Sequence, residues 1–185
     1  MNEFKLIPFR SQASLPNIEL SGKIDRQNEL LSIEYQLQGD LDTILLQRGS
    51  ANAIDPPAII PSRKFELWST TCFEFFIGIP DNLEYWEFNL SPSGDWNVFH
   101  LDNYRQGLQN ELAFTSLPFK IDRQANSLLL TLTFGLSRII PIQQEIEISV
   151  TTVIESNQHE ISYWALTHPG TEADFHRRDS FIIKI

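Results

Sequence analysis

Glu74, Glu87 and Asn89 are the residues whose types and spacing most directly suggest chemistry. Along Thr71–Ile79 a period of two puts Phe73, Phe75, Ile77 and Ile79 on one face and Cys72, Glu74 and Phe76 on the other. Along Tyr85–Ser91 the same rule groups Trp86, Phe88 and Leu90, leaving Tyr85, Glu87, Asn89 and Ser91 opposite. If these strands pair as a hairpin, Glu74, Glu87 and Asn89 share a face. Two carboxylates so placed could act as acid and base on a sugar, in a hydrolase or isomerase, or offer oxygens to a hard cation. The plain alternative is a solvated polar face, and no D-x-D-x-D-G loop accompanies the carboxylates.

Other reactive side chains form weaker patterns. Of His100, His159, His168 and His176, only the last two are close, in HPGTEADFH, which is no zinc spacing. Hydrogen-bonding histidines are the expected reading, with a His168/His176 metal or haem site as the alternative. G-x-S-x-G, Walker and G-x-G-x-x-G motifs are absent. Cys72, inside an apolar strand, reads as an inert thiol.

The aromatics say more. Trp68, Trp86, Trp96, Trp164, Tyr85, Tyr104 and Tyr163 exceed what turns and loops require, and Trp68 and Trp96 fall at strand ends beside polar loops. Aromatic faces flanked by amides, arginines and carboxylates suit sugars, whose C–H faces stack on indole while hydroxyls meet the polar groups. The stretch YWEFNLSPSGDWNVFH, residues 85–100, concentrates this pattern. Pro92, Ser93, Gly94 and Asp95 account for its bend, leaving Asn89, Ser91, Trp96 and Asn97 as a surplus. Asn89 and Trp96 are therefore expected to line one pocket.

The elements that must position these groups are strands. Alternation predicts Phe4–Pro8, Ile18–Ile24, Leu30–Leu37, Thr43–Gln47, Thr71–Ile79, Tyr85–Leu90, Trp96–Leu101, Phe114–Ile121, Ser127–Leu136, Gln144–Ile154, Glu160–Leu166 and Phe181–Ile185. Turn-forming clusters such as Asp25-Arg26-Gln27-Asn28, Asp81-Asn82, Asp122 to Asn126 and Ser156-Asn157-Gln158 separate them. Many short strands joined by hairpins make an antiparallel β-sandwich. GKIDRQNELLSIEYQL (Gly22–Leu37) and FKIDRQANSLLLTLTFGL (Phe119–Leu136) echo each other as two equivalent hairpins. Three irregular stretches remain, Gly49–Leu67, Asp102–Glu111 and Thr167–Asp179; in the last, Thr171 and Asp174 could cap one short helical turn.

Composition bounds the function. At 185 residues, 42% hydrophobic and 21% charged, the chain suits one globular domain over residues 1–185. A net charge of −10 repels phosphate backbones and anionic lipid, which argues against nucleic acid and membrane partners. No apolar run approaches the roughly 20 residues needed to span a bilayer. MNEFKLIPFRSQ has no signal-peptide pattern and Cys72 has no disulfide partner, so the expected setting is the reducing cytoplasm.

LWSTTCFEFF (Leu67–Phe76), YWEFNLSPSGDWNVF (Tyr85–Phe99), Tyr104-Arg105 and YWALTHPGTEADFHRRDSF (Tyr163–Phe181) resemble the bacterial DOMON-like proteins, which are similar to the family-nine carbohydrate-binding modules. The resemblance implies one DOMON-like, jelly-roll-related sandwich with one or two helical turns in its loops, and a non-catalytic module for a carbohydrate or similar polar small molecule. Haem-binding relatives use a Met and His pair, and the only methionine here is Met1; no cofactor or metal is expected. The expected ligand-binding set is Arg63, Trp68, Asn89, Trp96, Asn97, Tyr104, Arg105, Trp164, His168 and His176, on loops after Arg48, Leu90, Leu101 and Leu166. Trp68 and Trp96 are the stacking platforms. A further reading makes the aromatic blocks a protein interface, a homo-oligomer included.

Overall fold

The computed structural model describes residues 1–9, 15–46 and 61–185. Its strands in chain order are β1 (Asn2–Lys5), β2 (Ile7–Pro8), β3 (Ile18–Gln27), β4 (Leu30–Gly39), β5 (Cys72–Gly78), β6 (Tyr85–Leu90), β7 (Trp96–Leu101), β8 (Gln109–Asn110), β9 (Lys120–Arg123), β10 (Ser127–Gly135), β11 (Glu147–Glu155), β12 (Ile161–Ala165) and β13 (Ile183–Lys184). Among the described residues the remaining regular pieces are short 3-10 turns. No helix there is long and apolar enough to cross a membrane.

The strands form an antiparallel β-sandwich. A smaller sheet runs β1-β3-β4-β10-β9 and a larger one runs β2-β12-β11-β5-β6-β7-β8, with β13 also beside β11. In the smaller sheet the two KIDRQ segments lead into the hairpins β3–β4 and β9–β10, which join where β4 pairs with β10. Asn28 makes the first of these turns at φ 56, a left-handed conformation that asparagine tolerates.

Leu31, Ile33, Tyr35, Leu37, Leu128, Leu130 and Leu132 of the smaller sheet face Phe73, Phe75, Ile77, Phe88, Val98, Ile148 and Val150 of the larger one in a single buried core. At its centre Phe75 stacks on Phe88 with ring centroids 4.4 Å apart, and Phe134 from the opposite sheet lies 4.9 Å from Phe88. The Tyr35 hydroxyl crosses between sheets and donates to the Glu74 carbonyl at 2.5 Å.

The other face of the larger sheet is also buried. Phe76, Tyr85, Phe99, Leu101, Val153 and Ala165 pack there under Phe175 and Phe181. Every residue of β5 and of β6 is consequently buried, the polar ones included. The expectation of a solvated polar face is therefore corrected: the Thr167–Asp179 stretch and the chain up to Phe181 fold over it. Arg178 fastens this cover by donating to the carbonyls of Ile79, Asn82 and Glu84. Gly78 makes the approach possible, since a Cβ there would lie 2.5 Å from the Arg178 guanidinium carbon.

Several predicted elements differ. Thr43 belongs to a 3-10 turn, Leu41–Thr43, and Ile44 makes one bridge to Ser156; Gln47 lies outside the described residues. The predicted strand Phe114–Ile121 starts only at Lys120, because Pro118 has no N–H to donate and the Phe114 carbonyl is held by Arg63. The predicted strand at Phe181–Ile185 shrinks to β13. Thr171 and Asp174 cap no helix; the turn forms later, at Arg178–Ser180, because the Asp174 carboxylate is engaged by Tyr104 and Arg105.

Phe88→Ala removes the ring lying between Phe75, Phe114 and Phe134. We expect a loss of about 3–5 kcal/mol, read as a lower denaturant midpoint at unchanged slope.

Candidate functional site

The register of the larger sheet assembles the site. Glu74 pairs across to Thr151 on one side and Asn89 on the other, while Glu87 pairs with Phe76 and Phe99 in the adjacent row. Glu74 and Glu87 are thus diagonal neighbours on the outer face, roughly 7–8 Å apart at the backbone. They form the floor of a cavity of about 380 Å³. Trp68, Tyr163, Phe175 and His176 supply aromatic walls, Leu101, Leu108, Val153 and Ala173 apolar ones, and Arg105 a cationic edge. The volume falls within the range of small-molecule sites, roughly 300–1,000 Å³.

Each carboxyl is deeply buried, Glu74 2% exposed and Glu87 4%. Glu87 Oε1 accepts from Asn89 Nδ2 at 2.7 Å, and Cys72 Sγ approaches Asn89 Oδ1 at 3.7 Å. Glu74 Oε1 has no hydrogen-bond partner among the described residues. Burial pushes the Glu87 carboxyl up to about 7 against the help of Asn89 and the Arg105 charge. Burial, and then the neighbouring Glu87, holds Glu74 well above the usual carboxylate range. Desolvation and mutual repulsion thus favour the protonated form of both carboxyls.

The cover carries the next set of groups. Asp174 accepts from the Tyr104 hydroxyl at 2.5 Å, from Arg105 Nη2 at 2.9 Å and from its own segment's His176 N–H at 3.1 Å. Burial pulls His176 down to about 4, so the ring is neutral at pH 7. Tyr85, pushed up to about 12 mainly by burial, keeps its proton; its oxygen accepts from the Arg105 N–H at 3.2 Å and lies 2.8 Å from His176 Nδ1. The Tyr85 hydroxyl thus engages Nδ1, and Nε2 lies 4.0 Å from Glu87 Oε2.

The sequence-predicted residues divide into two groups. Trp68, Arg105 and His176 line the cavity, Asn89 supports Glu87 beneath it, and Tyr104 braces the cover through Asp174. Arg63, Trp96 and Asn97 form a separate structural fastening. Trp96 pairs with Leu90 and points into the inter-sheet core, whereas Asn89 points outward, so the two do not line one pocket. The Arg63 guanidinium lies 4.4 Å over the Trp96 ring and donates to Asn97 Oδ1 and to the carbonyls of Val98, Glu111 and Phe114. Trp164 also faces the core, its indole N–H donating to Ser162. Its neighbour Tyr163 faces the cavity instead.

His168 bonds the Ile7 carbonyl at 2.9 Å and packs on Phe9, both at the β2 edge, while His176 lies on Phe76 and Tyr85 of β5 and β6. Three strand spacings, roughly 14 Å, separate β2 from β5, too far for both rings to ligate one iron or metal ion. No group of three potential metal ligands occurs among the described residues. Of the predicted site loops, those after Leu101 and Leu166 border the cavity; that after Leu90 is a compact turn in which Ser91, Ser93 and Asp95 bond one another, and residues 47–60, just after Leu46, lie outside the described residues. Sequence reading missed Phe175, whose loop carries no periodic signal, and Tyr163 as a wall.

No protein-family model and no curated protein matches the sequence. Solved structures do match its fold. A candidate carbohydrate-binding protein from Bacteroides uniformis superposes with a TM-score of 0.65 at 11% identity, covering 96% of this chain and 84% of that one. A family 9 carbohydrate-binding module from Caldicellulosiruptor kristjanssonii in complex with glucose matches at 0.50 and 10% identity, over 86% and 72% of the two chains. The same module family from that organism with cellotriose gives 0.51 at 9% identity, over 91% and 75%. The shared property is the β-sandwich fold.

The two titrating groups above oppose each other. The Glu87 contribution to stability is complete below about pH 4.5 and is lost as pH rises through about 7; that of His176 is present above 6.5 and lost as pH falls through about 4. The difference in unfolding free energy between Glu87→Gln and the parent reports the first together with the relief of Glu74, which Glu87 also raises. It should move in favour of the variant by on the order of 3 kcal/mol from pH 4.5 to 8, measured by denaturant titration at each pH.

Proposed function

We propose that the chain is a non-catalytic binding module for a carbohydrate or a similar polar small molecule, with its site in the cavity over β5 and β6. The observation that carries this reading is a half-aromatic, half-polar hollow on a rigid sheet. Trp68, Tyr163 and Phe175 offer ring faces and edges, while Glu74, Glu87, Arg105 and His176 offer hydrogen bonds within the same volume. Sugars require that pairing of surfaces. Structures of the same fold hold glucose and cellotriose, and the DOMON-like resemblance of Leu67–Phe76, Tyr85–Phe99 and Tyr163–Phe181 points the same way. The single buried Cys72 fits the expected cytoplasmic setting.

The alternative, a sugar-acting hydrolase or isomerase working through the raised Glu74 and Glu87 carboxyls, would show as saccharide turnover that Glu87→Gln abolishes.

Isothermal titration with glucose, cellotriose and a wider saccharide panel tests the proposal. We expect saturable binding that Trp68→Ala weakens at least tenfold; Trp96→Ala should lower stability by about 3–5 kcal/mol without a specific effect on affinity. Absence of binding to every saccharide at millimolar concentration would remove the carbohydrate reading.

A further inference from the structure

The cavity floor is unusual for a site meant to hold only neutral hydroxyls. Its two carboxyls present acceptor oxygens that the protein itself leaves underused. Glu74 Oε1 is buried without a hydrogen-bond partner among the described residues, and Glu87 Oε2 lies 4.0 Å from His176 Nε2, beyond hydrogen-bonding distance. Burying such an acceptor unpaired costs about 1–3 kcal/mol, more if it is charged.

The groups around the pair do not neutralise it. Arg105 is the cation on the wall, but its guanidinium is half exposed and bonded to Asp174. His176 is neutral, with Nδ1 occupied by Tyr85. The Cys72 thiol and the Thr151 hydroxyl hydrogen-bond the Glu74 carboxyl without a bond to its Oε1, and Tyr163 stands on the wall; none brings a positive charge. Desolvation and mutual repulsion relieve that charge by favouring the protonated form of each carboxyl, Glu87 being pushed up to about 7.

We propose that this cavity receives a ligand bearing a protonated amine, its ammonium seated between Glu74 Oε1 and Glu87 Oε2 and its carbon skeleton against Trp68, Tyr163 and Phe175. Building on the carbohydrate reading above, the ligand class is an amino sugar. An ammonium has three donors and no acceptor, so it satisfies both open oxygens and takes the place of the proton that the raised pair otherwise favours. Aromatic rings around a partly desolvated cation add attraction through their π faces. The chain's net charge of −10 draws cations toward the site. Because the ammonium displaces a proton, its affinity rises with pH until the amine itself deprotonates near pH 8.

Calorimetric titration of the full chain with glucosamine, N-acetylglucosamine and glucose at pH 5 and pH 7 provides the test, with cyclohexylamine against cyclohexanol as a pair lacking the sugar. We expect glucosamine to bind at least tenfold tighter than either neutral sugar at pH 7, and at least fivefold tighter at pH 7 than at pH 5. Glu74→Gln and Glu87→Gln should each reduce that preference below threefold. Equal or weaker binding of glucosamine than of glucose overturns the ammonium site and leaves the carbohydrate module standing. Binding of cyclohexylamine but no sugar keeps the ammonium site and overturns the carbohydrate module. No preference for the amine in either comparison overturns the proposal.

Discussion

The larger sheet must be covered on both faces, and most of what distinguishes this protein follows from that constraint. Strands β5 and β6 are buried along their whole length. One side is closed by the smaller sheet in the usual manner of a sandwich. The other is closed by chain between Thr167 and Phe181, anchored by Arg178 against the carbonyls beside Gly78. A cover made of loop cannot fill the space as densely as a second sheet, and the hollow left beneath it is the cavity.

Burial then converts two ordinary glutamates into a pair that favours the protonated form. In water each would be ionised and inconsequential. Under the cover, desolvation favours the neutral form, and each charge disfavours the other. Asp174 shows the opposite outcome from the same residue class. With Tyr104, Arg105 and a backbone N–H donating to it, its carboxylate is held below the usual range despite burial. The site thus places a fixed ion pair at its rim and a flexible protonation state at its floor.

The tryptophans show how little residue type decides. Trp68 and Trp96 both sit at strand ends beside polar loops, yet Trp68 borders the cavity and Trp96 is core. Arg63 accounts for the difference: stacked on Trp96 and bonded to Asn97, it ties the segment before β5 along the edge of β7. The polar surplus around the Pro92–Asp95 turn is thereby absorbed into structure, Ser91 and Asp95 by the turn itself and Asn97 by Arg63 and the Lys64 carbonyl. A large aromatic beside an arginine and an asparagine looks like a ligand clamp in one dimension and is a fastening in three.

Period-two alternation, by itself, determined most of the strands, β5 and β6 among them, and the common face of Glu74, Glu87 and Asn89 once those two pair, because a strand's side-chain direction is a local property of the backbone. The two KIDRQ hairpins were legible for the same reason, turn chemistry being local too. Which face of ISYWA looks outward was not, since Ser162 and Trp164 on one side and Ile161, Tyr163 and Ala165 on the other each mix polar and apolar groups; pairing with β11 settled it. Nor could alternation reveal that the polar face lies under a cover, that Phe175 and His176 come down onto it, or that His168 goes elsewhere. Those placements arise from contacts between residues 69 to 161 positions apart, such as Arg105 with Asp174 and His168 with Ile7, and only the folded chain brings them within bonding distance.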